Sequence, residues 1–179
     1  MVLSGDPSHT LITSARLALP AFKAADAAEL FEETSAAIAR FMSWNPPASE
    51  REFEIIWQGR LSQMKAGAEL HLVIRLNSTD EFVGAAGLHP ADGTMLETGI
   101  WIKESPQGHG YGREADAAVI KWASEKFRPS GFLYPVVDAN TPRRKPAEAF
   151  GGKIIGTRQR HKPGDKERKL LLYRIPVPV

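Results

Sequence analysis

The sequence predicts an α/β (α+β) domain: a mixed, mostly antiparallel seven-stranded sheet flanked by about four helices. Three observations carry this. Strand-like and helix-like patterns follow the order strand, two helices, three strands, helix, strand, helix, two strands. The linkers "NSTD" (77–80) and "PADG" (90–93) carry turn chemistry, so the three central strands form an antiparallel meander. A glycine-rich loop then runs from the fourth strand straight into the third helix.

Residues 1–9 read as a short flexible lead and 10–179 as one domain, with neither a basic-then-apolar leader nor an internal repeat. Within 9–22, Leu11, Thr13, Ala15, Leu17 and Leu19 alternate on one face of an opening strand. Helix formers fill 23–42, with Ala27, Leu30 and Phe31 at core spacing. "SWNPPAS" (43–49) ends that helix, because two prolines deny backbone donors and fix φ. Ser49 and Glu52 form a capping-box pattern that opens a second helix to about Lys65, with Phe53, Ile56, Trp57, Leu61 and Met64 as its apolar stripe.

The meander spans 68–76, 81–89 and 95–103, and the third helix runs from about Gly112 to Phe127. A fifth strand follows at 131–139. "TPRRKPAEAF" (141–150) holds Pro142 and Pro146. Since a helix accommodates proline best in its first turn, the fourth helix should start near Pro146, with Arg143–Lys145 in a loop. The last two strands, in 151–162 and 167–178, close a hairpin around "PGD".

A chain of 179 residues with 42% hydrophobic and 25% charged residues has the composition of one soluble globular domain. No apolar run reaches the roughly 18 residues of a membrane span. Cysteine is absent, which excludes disulfides, thiolate metal sites and a cysteine acyl-enzyme and suits a cytoplasmic address. Residues 1–90 carry 7 Lys/Arg against 11 Asp/Glu (net −4), and residues 91–179 carry 16 against 10 (net +6). The basic half would attract an anionic ligand or nucleic acid, or is simply a solvated Lys/Arg-rich hairpin. No aromatic-studded basic strand or recognition-helix pattern supports nucleic acid.

The loop "ESPQGHGYGREADAAVIKW" is the chemically informative stretch. Gly108, Gly110 and Gly112 bare the backbone at a helix N-terminus, where open N–H groups and the positive dipole end favour phosphate. Taken alone, such a turn equally serves to redirect the chain. Gly112 is followed by Arg113 and Glu114 rather than Lys and Ser/Thr, so this is no P-loop. G-x-G-x-G also departs from the dinucleotide fingerprint G-x-G-x-x-G.

With Gln107, Gly108, His109, Gly110, Tyr111 and Gly112, the loop resembles the Arg/Gln-x-x-Gly-x-Gly/Ala pyrophosphate loop of the GNAT superfamily of acyl-CoA-dependent N-acyltransferases. "SARLALPAF", "SWNPPAS", "LETGIWIK", "VVDANTP" and "EAFGGKIIGT" resemble its RimJ/RimL-like branch, named for ribosomal-protein N-terminal acetyltransferases. The resemblance implies a splay between the fourth and fifth strands that takes the pantetheine arm of acetyl-CoA. Main-chain groups of Ile100, Trp101 and Ile102 would pair with that arm, and residues 108–112 would hold the pyrophosphate. Asn140 matches the asparagine that contacts pantetheine.

The reaction would be direct attack by an amine in a ternary complex, without metal. An amine attacks only as the free base, so a base must take its proton. The resemblance points to Glu97, the acid of "ETGIW", which would otherwise only orient a water or pair with a basic neighbour; His71, His89 and His109 are reserves. Arg143 and Ala147 stand where relatives carry a serine and a tyrosine near the sulfur. Arg143 is too weak an acid to replace them, although its charge could stabilise the thiolate or a CoA phosphate. Either the thiolate then leaves with no dedicated acid, or Tyr111, Tyr173 or water protonates it. The acceptor is expected between "MSWNPPAS" and the basic hairpin, with Trp44 as an apolar wall or a loop anchor. A peptide N-terminus or a neutral amine suits that charge better than a polyamine. The resemblance also admits a homodimer. The alternatives are a CoA-binding regulator with weak chemistry and a nucleic-acid-binding module.

Overall fold

A computed structural model describes residues 3, 7–42, 44–91, 93–161 and 167–178. Eight strands, β1 (Leu11–Thr13), β2 (Leu17–Pro20), β3 (Leu70–Leu76), β4 (Phe82–Pro90), β5 (Leu96–Ile102), β6 (Phe132–Val137), β7 (Lys153–Arg160) and β8 (Arg168–Ile175), form one sheet. Their order is β1-β2-β3-β4-β5-β6-β8-β7. Among the described residues five α-helices accompany it: α1 (Ala27–Glu32), α2 (Ala36–Ala39), α3 (Glu50–Lys65), α4 (Tyr111–Phe127) and α5 (Thr141–Ala149).

The sheet is antiparallel except where β5 meets β6. That parallel pairing consists of Leu96 with Phe132 and Glu97 with Leu133, and no further. Beyond Glu97, β5 stays with β4 while β6 stays with β8, so the sheet splays into the expected V.

The counts exceed the expected seven and four for local reasons. The opening strand is a hairpin, because the N–H of Ser14 donates to the Leu17 carbonyl at 2.8 Å and turns the chain back. Ile12 pairs with Leu19 and faces the core with Leu17, whereas Leu11 is 59% exposed. The helix expected across 23–42 breaks at Glu33–Ser35. There the Thr34 hydroxyl donates to the Leu30 carbonyl, and the Ser35 hydroxyl caps a new helix by accepting from the Ile38 N–H.

The last helix, α5, begins at Thr141 rather than near Pro146 as expected, so Arg143–Lys145 are helical. Asn140 caps it, Pro142 falls in the first turn, and Pro146 sits inside, where it has no N–H to donate to the Pro142 carbonyl. Ser49 caps α3, accepting from the Glu52 N–H, and the Glu52 carboxylate accepts in return from the Ala48 N–H.

Of the lead expected to be flexible, Leu3 is buried and donates its N–H to the Gly67 carbonyl, while Pro7–His9 form a 3₁₀ turn. The turn expected at "PGD" lies outside the described residues. Successive β5 residues mark two layers: Trp101 faces α1 and α3, while Ile102 meets Gly112 of α4. Tyr134, Phe132, Leu72, Leu88 and Ile74 are among the fully buried side chains between those layers. Each contributes about 1.5–3 kcal/mol by leaving water.

Candidate active site

The glycine loop sits at the open end of the V, between the C-terminus of β5 and α4. Gly108 (φ +88°) and Gly110 (φ +81°) both adopt the left-handed conformation, which side-chain-bearing residues avoid. Gly110 caps α4, and the first helical bond runs from the Glu114 N–H to the Gly110 carbonyl. The N–H groups before it are those a helix cannot satisfy itself.

The loop is braced from two sides. The Gln107 side-chain amide donates to the Ile102 carbonyl at 3.0 Å. From the β1–β2 turn, Arg16 donates its backbone N–H and its Nε to Glu114 at 2.8 and 2.7 Å, donates to the His109 carbonyl, and lies over the Tyr111 ring. The Ser14 hydroxyl donates to the same carboxylate at 2.7 Å. Burial works to raise the Glu114 pKa, but these bonds outweigh it and hold the carboxyl below its ordinary range. His109 stacks on Tyr111. Arg16 and Glu114 escape sequence reasoning because 98 residues separate them. The only hint is an acid in the first turn of a helix that follows a glycine loop.

Along the V, β5 presents an unpaired edge. The Lys103 N–H donates to the Val83 carbonyl of β4, whereas the Leu96 N–H donates to Gly131 on the other side. Antiparallel alternation therefore turns the backbone groups of Thr98, Ile100 and Ile102 into the gap. Those of Trp101 face β4.

Glu97 lies at the vertex, opposite His89 on β4 and Leu133 on β6. On the same sheet face a polar row continues away from it. His89 Nδ1 is 3.4 Å from Glu69 Oε1, and His71 Nε2 is 2.8 Å from Glu69 Oε2. Gly87 makes room for this row, since a Cβ there would sit 2.7 Å from His89 Nε2. Burial pushes the His71 pKa down to about 4, against the pull of its Glu69 bond.

Arg143 does not stand free at the gap. Its Nη1 donates to Asp116 Oδ2 at 2.8 Å, and the Tyr134 hydroxyl donates to the same oxygen at 2.6 Å. The guanidinium lies 4.2 Å from the Tyr134 ring centroid. Asp116 is fully buried; burial raises its pKa, and Arg143 and Tyr134 pull it back. Burial and Asp116 push the Tyr134 pKa up, so this phenol is a poorer acid than a free one. Tyr173 is engaged elsewhere, donating to Glu148 and accepting from Arg144. The Asn140 side chain is used in capping, accepting from the Arg143 N–H at 3.3 Å.

On the Glu97 face, a cavity of about 250 Å³ opens between α1, α3, residues 44–47 and β5. Trp44, Pro47, Phe53 and Trp101 supply apolar walls, and Arg60 is the one charged residue among the described residues that line it. Gly99 lies between Glu97 and Trp101 on this face, and a Cβ there would meet nothing within 4 Å, so the floor is open toward the vertex. Among the described residues, no cluster of three or more His, Asp or Glu could hold a metal, and no helix is long and apolar enough to cross a membrane.

Residues 16–153 match the family model described as an acetyltransferase (GNAT) domain. None of the curated proteins matches the sequence. Among solved structures, a Salmonella typhimurium acetyl transferase, described as modifying the N-terminal serine of 50S ribosomal subunit protein L7/L12, is 17% identical with a TM-score of 0.81. That match covers 94% of this chain and 100% of the other. Mycobacterium smegmatis RimJ, solved with CoA-disulfide, is 20% identical with a TM-score of 0.80, covering 94% and 88%. A GCN5-related N-acetyltransferase from Brucella melitensis is 18% identical with a TM-score of 0.77, covering 98% and 82%. At these identities the likeness is one of fold.

Proposed function

The chain belongs to the GNAT acetyltransferase family, and we propose that it passes the acetyl group of acetyl-CoA to a primary amine by direct attack in a ternary complex. The observation that carries this is the V between β5 and β6, with the glycine loop at its open end and Glu97 at its vertex.

The residues present fit acetyl-CoA. Left-handed Gly108 and Gly110 and the open N–H groups through Gly112 suit a pyrophosphate. The inward-turned backbone of Ile100, with the Ile102 N–H beside it, suits the amides of the pantetheine arm, as an added strand would pair. When bound, acetyl-CoA supplies a thioester carbonyl as electrophile and a thiolate as leaving group.

This chain's residues then manage the amine. Trp101 serves the acceptor side, since its ring lines the cavity. Glu97 accepts the amine proton, directly or through one water. His89, opposite it and bonded to Glu69, offers that proton a route along the row. No side chain is assigned to the leaving sulfur: the Tyr134 proton is held by Asp116, and the Tyr173 hydroxyl lies between Arg144 and Glu148. A cytoplasmic setting belongs to this proposal.

The test is free-thiol release from acetyl-CoA against a pool of amines and peptide N-termini, with Glu97→Gln beside the wild type. Transfer is expected, and the variant should lose about 10²–10⁴ in kcat while keeping its affinity for CoA. Unchanged kcat in Glu97→Gln would remove Glu97 as the base. CoA binding without thiol release across the pool would favour a regulatory role instead.

A further inference from the structure

Arg60 poses a question that the transfer chemistry does not answer. Its side chain lines the cavity beside Trp44, Phe53 and Trp101, and among the described residues neither a hydrogen bond nor an ion pair is found for it, Glu69 acting on it only through its charge. The carboxylate that acts on it is Glu69, but both Glu69 oxygens are committed, Oε2 to His71 at 2.8 Å and Oε1 to His89 at 3.4 Å. Burial lowers the Arg60 pKa from its ordinary value, with Glu69 pulling the other way. Partly desolvating a cation whose acting carboxylate is already engaged with two histidines costs stability, so the arrangement is relieved when a second anion enters.

We propose that the acceptor is a small amine carrying its own carboxylate, which Arg60 binds while the apolar body lies between Trp44, Phe53 and Trp101. This deepens the transfer reading above and rests on it. The polarity of the face fits a zwitterion: a cation at the α3 wall and the Glu97 carboxylate at the vertex, with the open floor at Gly99 between them. The planar guanidinium fork matches a carboxylate through two parallel N–H···O bonds. At about 250 Å³ the cavity lies below the roughly 300–1,000 Å³ of drug-sized sites, which points to something of amino-acid size. A polyamine would meet Arg60 with like charge and leave it unpaired.

The probes are matched pairs that differ only in the carboxyl group: leucine against leucinamide, and phenylalanine against phenylalaninamide. Each is titrated into the wild type, Arg60→Met and Arg60→Lys with acetyl-CoA present, and kcat/KM is read from thiol release. In parallel, binding is followed by tryptophan fluorescence without acetyl-CoA, using the rings of Trp44 and Trp101 in the cavity wall. The wild type should favour the carboxylates at least about tenfold in both readouts. Arg60→Met should lose that preference while still accepting the amides, and Arg60→Lys should retain part of it. Equal handling of acid and amide by the wild type, or a preference that survives in Arg60→Met, overturns the proposal. Carboxylate-selective binding with no thiol release from any amine would sustain the Arg60 site and count against the transfer reading, so the two failures are distinguishable.

Discussion

Acidifying the protein through the range in which His71 would take a proton should cost it about 3 kcal/mol of stability, and His71→Gln should abolish most of that cost. The ring is 16% exposed. Burial is the leading cause of its low pKa, the Glu69 bond opposes it, and Arg60 and His89 add to the depression. An ordinary value of 6.5 lowered to about 4 in the fold, at about 1.4 kcal/mol for each pH unit, gives about 3 kcal/mol. The folded state binds this proton less readily than the unfolded chain. The full stability is therefore present above pH 6.5 and drains away as the pH falls through about 4. The assay is urea denaturation of both proteins at pH 7.5, 6.5, 5.5 and 4.5. Going no lower than pH 4.5 limits interference from Glu69, whose carboxyl is held low by its histidine bonds against the effect of burial. The wild-type midpoint should fall faster than that of His71→Gln. Parallel pH profiles would refute the reasoning.

Three further substitutions probe the loop and the buried ion pair. Gly110→Ala places a side chain at φ +81°, costing about 1–2 kcal/mol. The nearest atom to the new Cβ, Arg16 Nη2 at 3.7 Å, is in ordinary contact, so the cost should appear in the melting temperature and CoA affinity without loss of fold. Arg143→Met strands a fully buried Asp116 and should cost about 3–5 kcal/mol, whereas Tyr134→Phe leaves Arg143 in place and should cost about 1–3 kcal/mol. Equal losses in urea denaturation would contradict the pairing described.

The central meander is legible in the sequence because its turns carry their own chemistry at 77–80 and 90–93. The opening hairpin is not: Ser14, Ala15 and Arg16 include no glycine, proline or asparagine, and the turn is held by the Ser14 N–H donating to the Leu17 carbonyl and the Leu17 N–H donating to the Ser14 hydroxyl. The break in the first helix hides in the same way, because Thr34 and Ser35 look innocuous among alanines until their hydroxyls find the backbone. The prolines at 142 and 146 mislead in the other direction, as capping by Asn140 and burial of Ala147 carry the helix through both. At the site, the glycines and Glu97 stand out locally. Asp116, Tyr134 and Arg60 do not, because their meaning depends on partners, or the want of them, that only the folded chain brings together.

The brace from Arg16 and Ser14 also makes the glycine loop dependent on the order of synthesis. Its supports leave the ribosome about a hundred residues before Glu114, the carboxylate they grip. The nascent β1–β2 turn must wait, and the loop acquires its anchors only after most of the meander exists. Grafted alone onto another scaffold, "GHGYG" would bring its bare backbone but not the clamp that aims it.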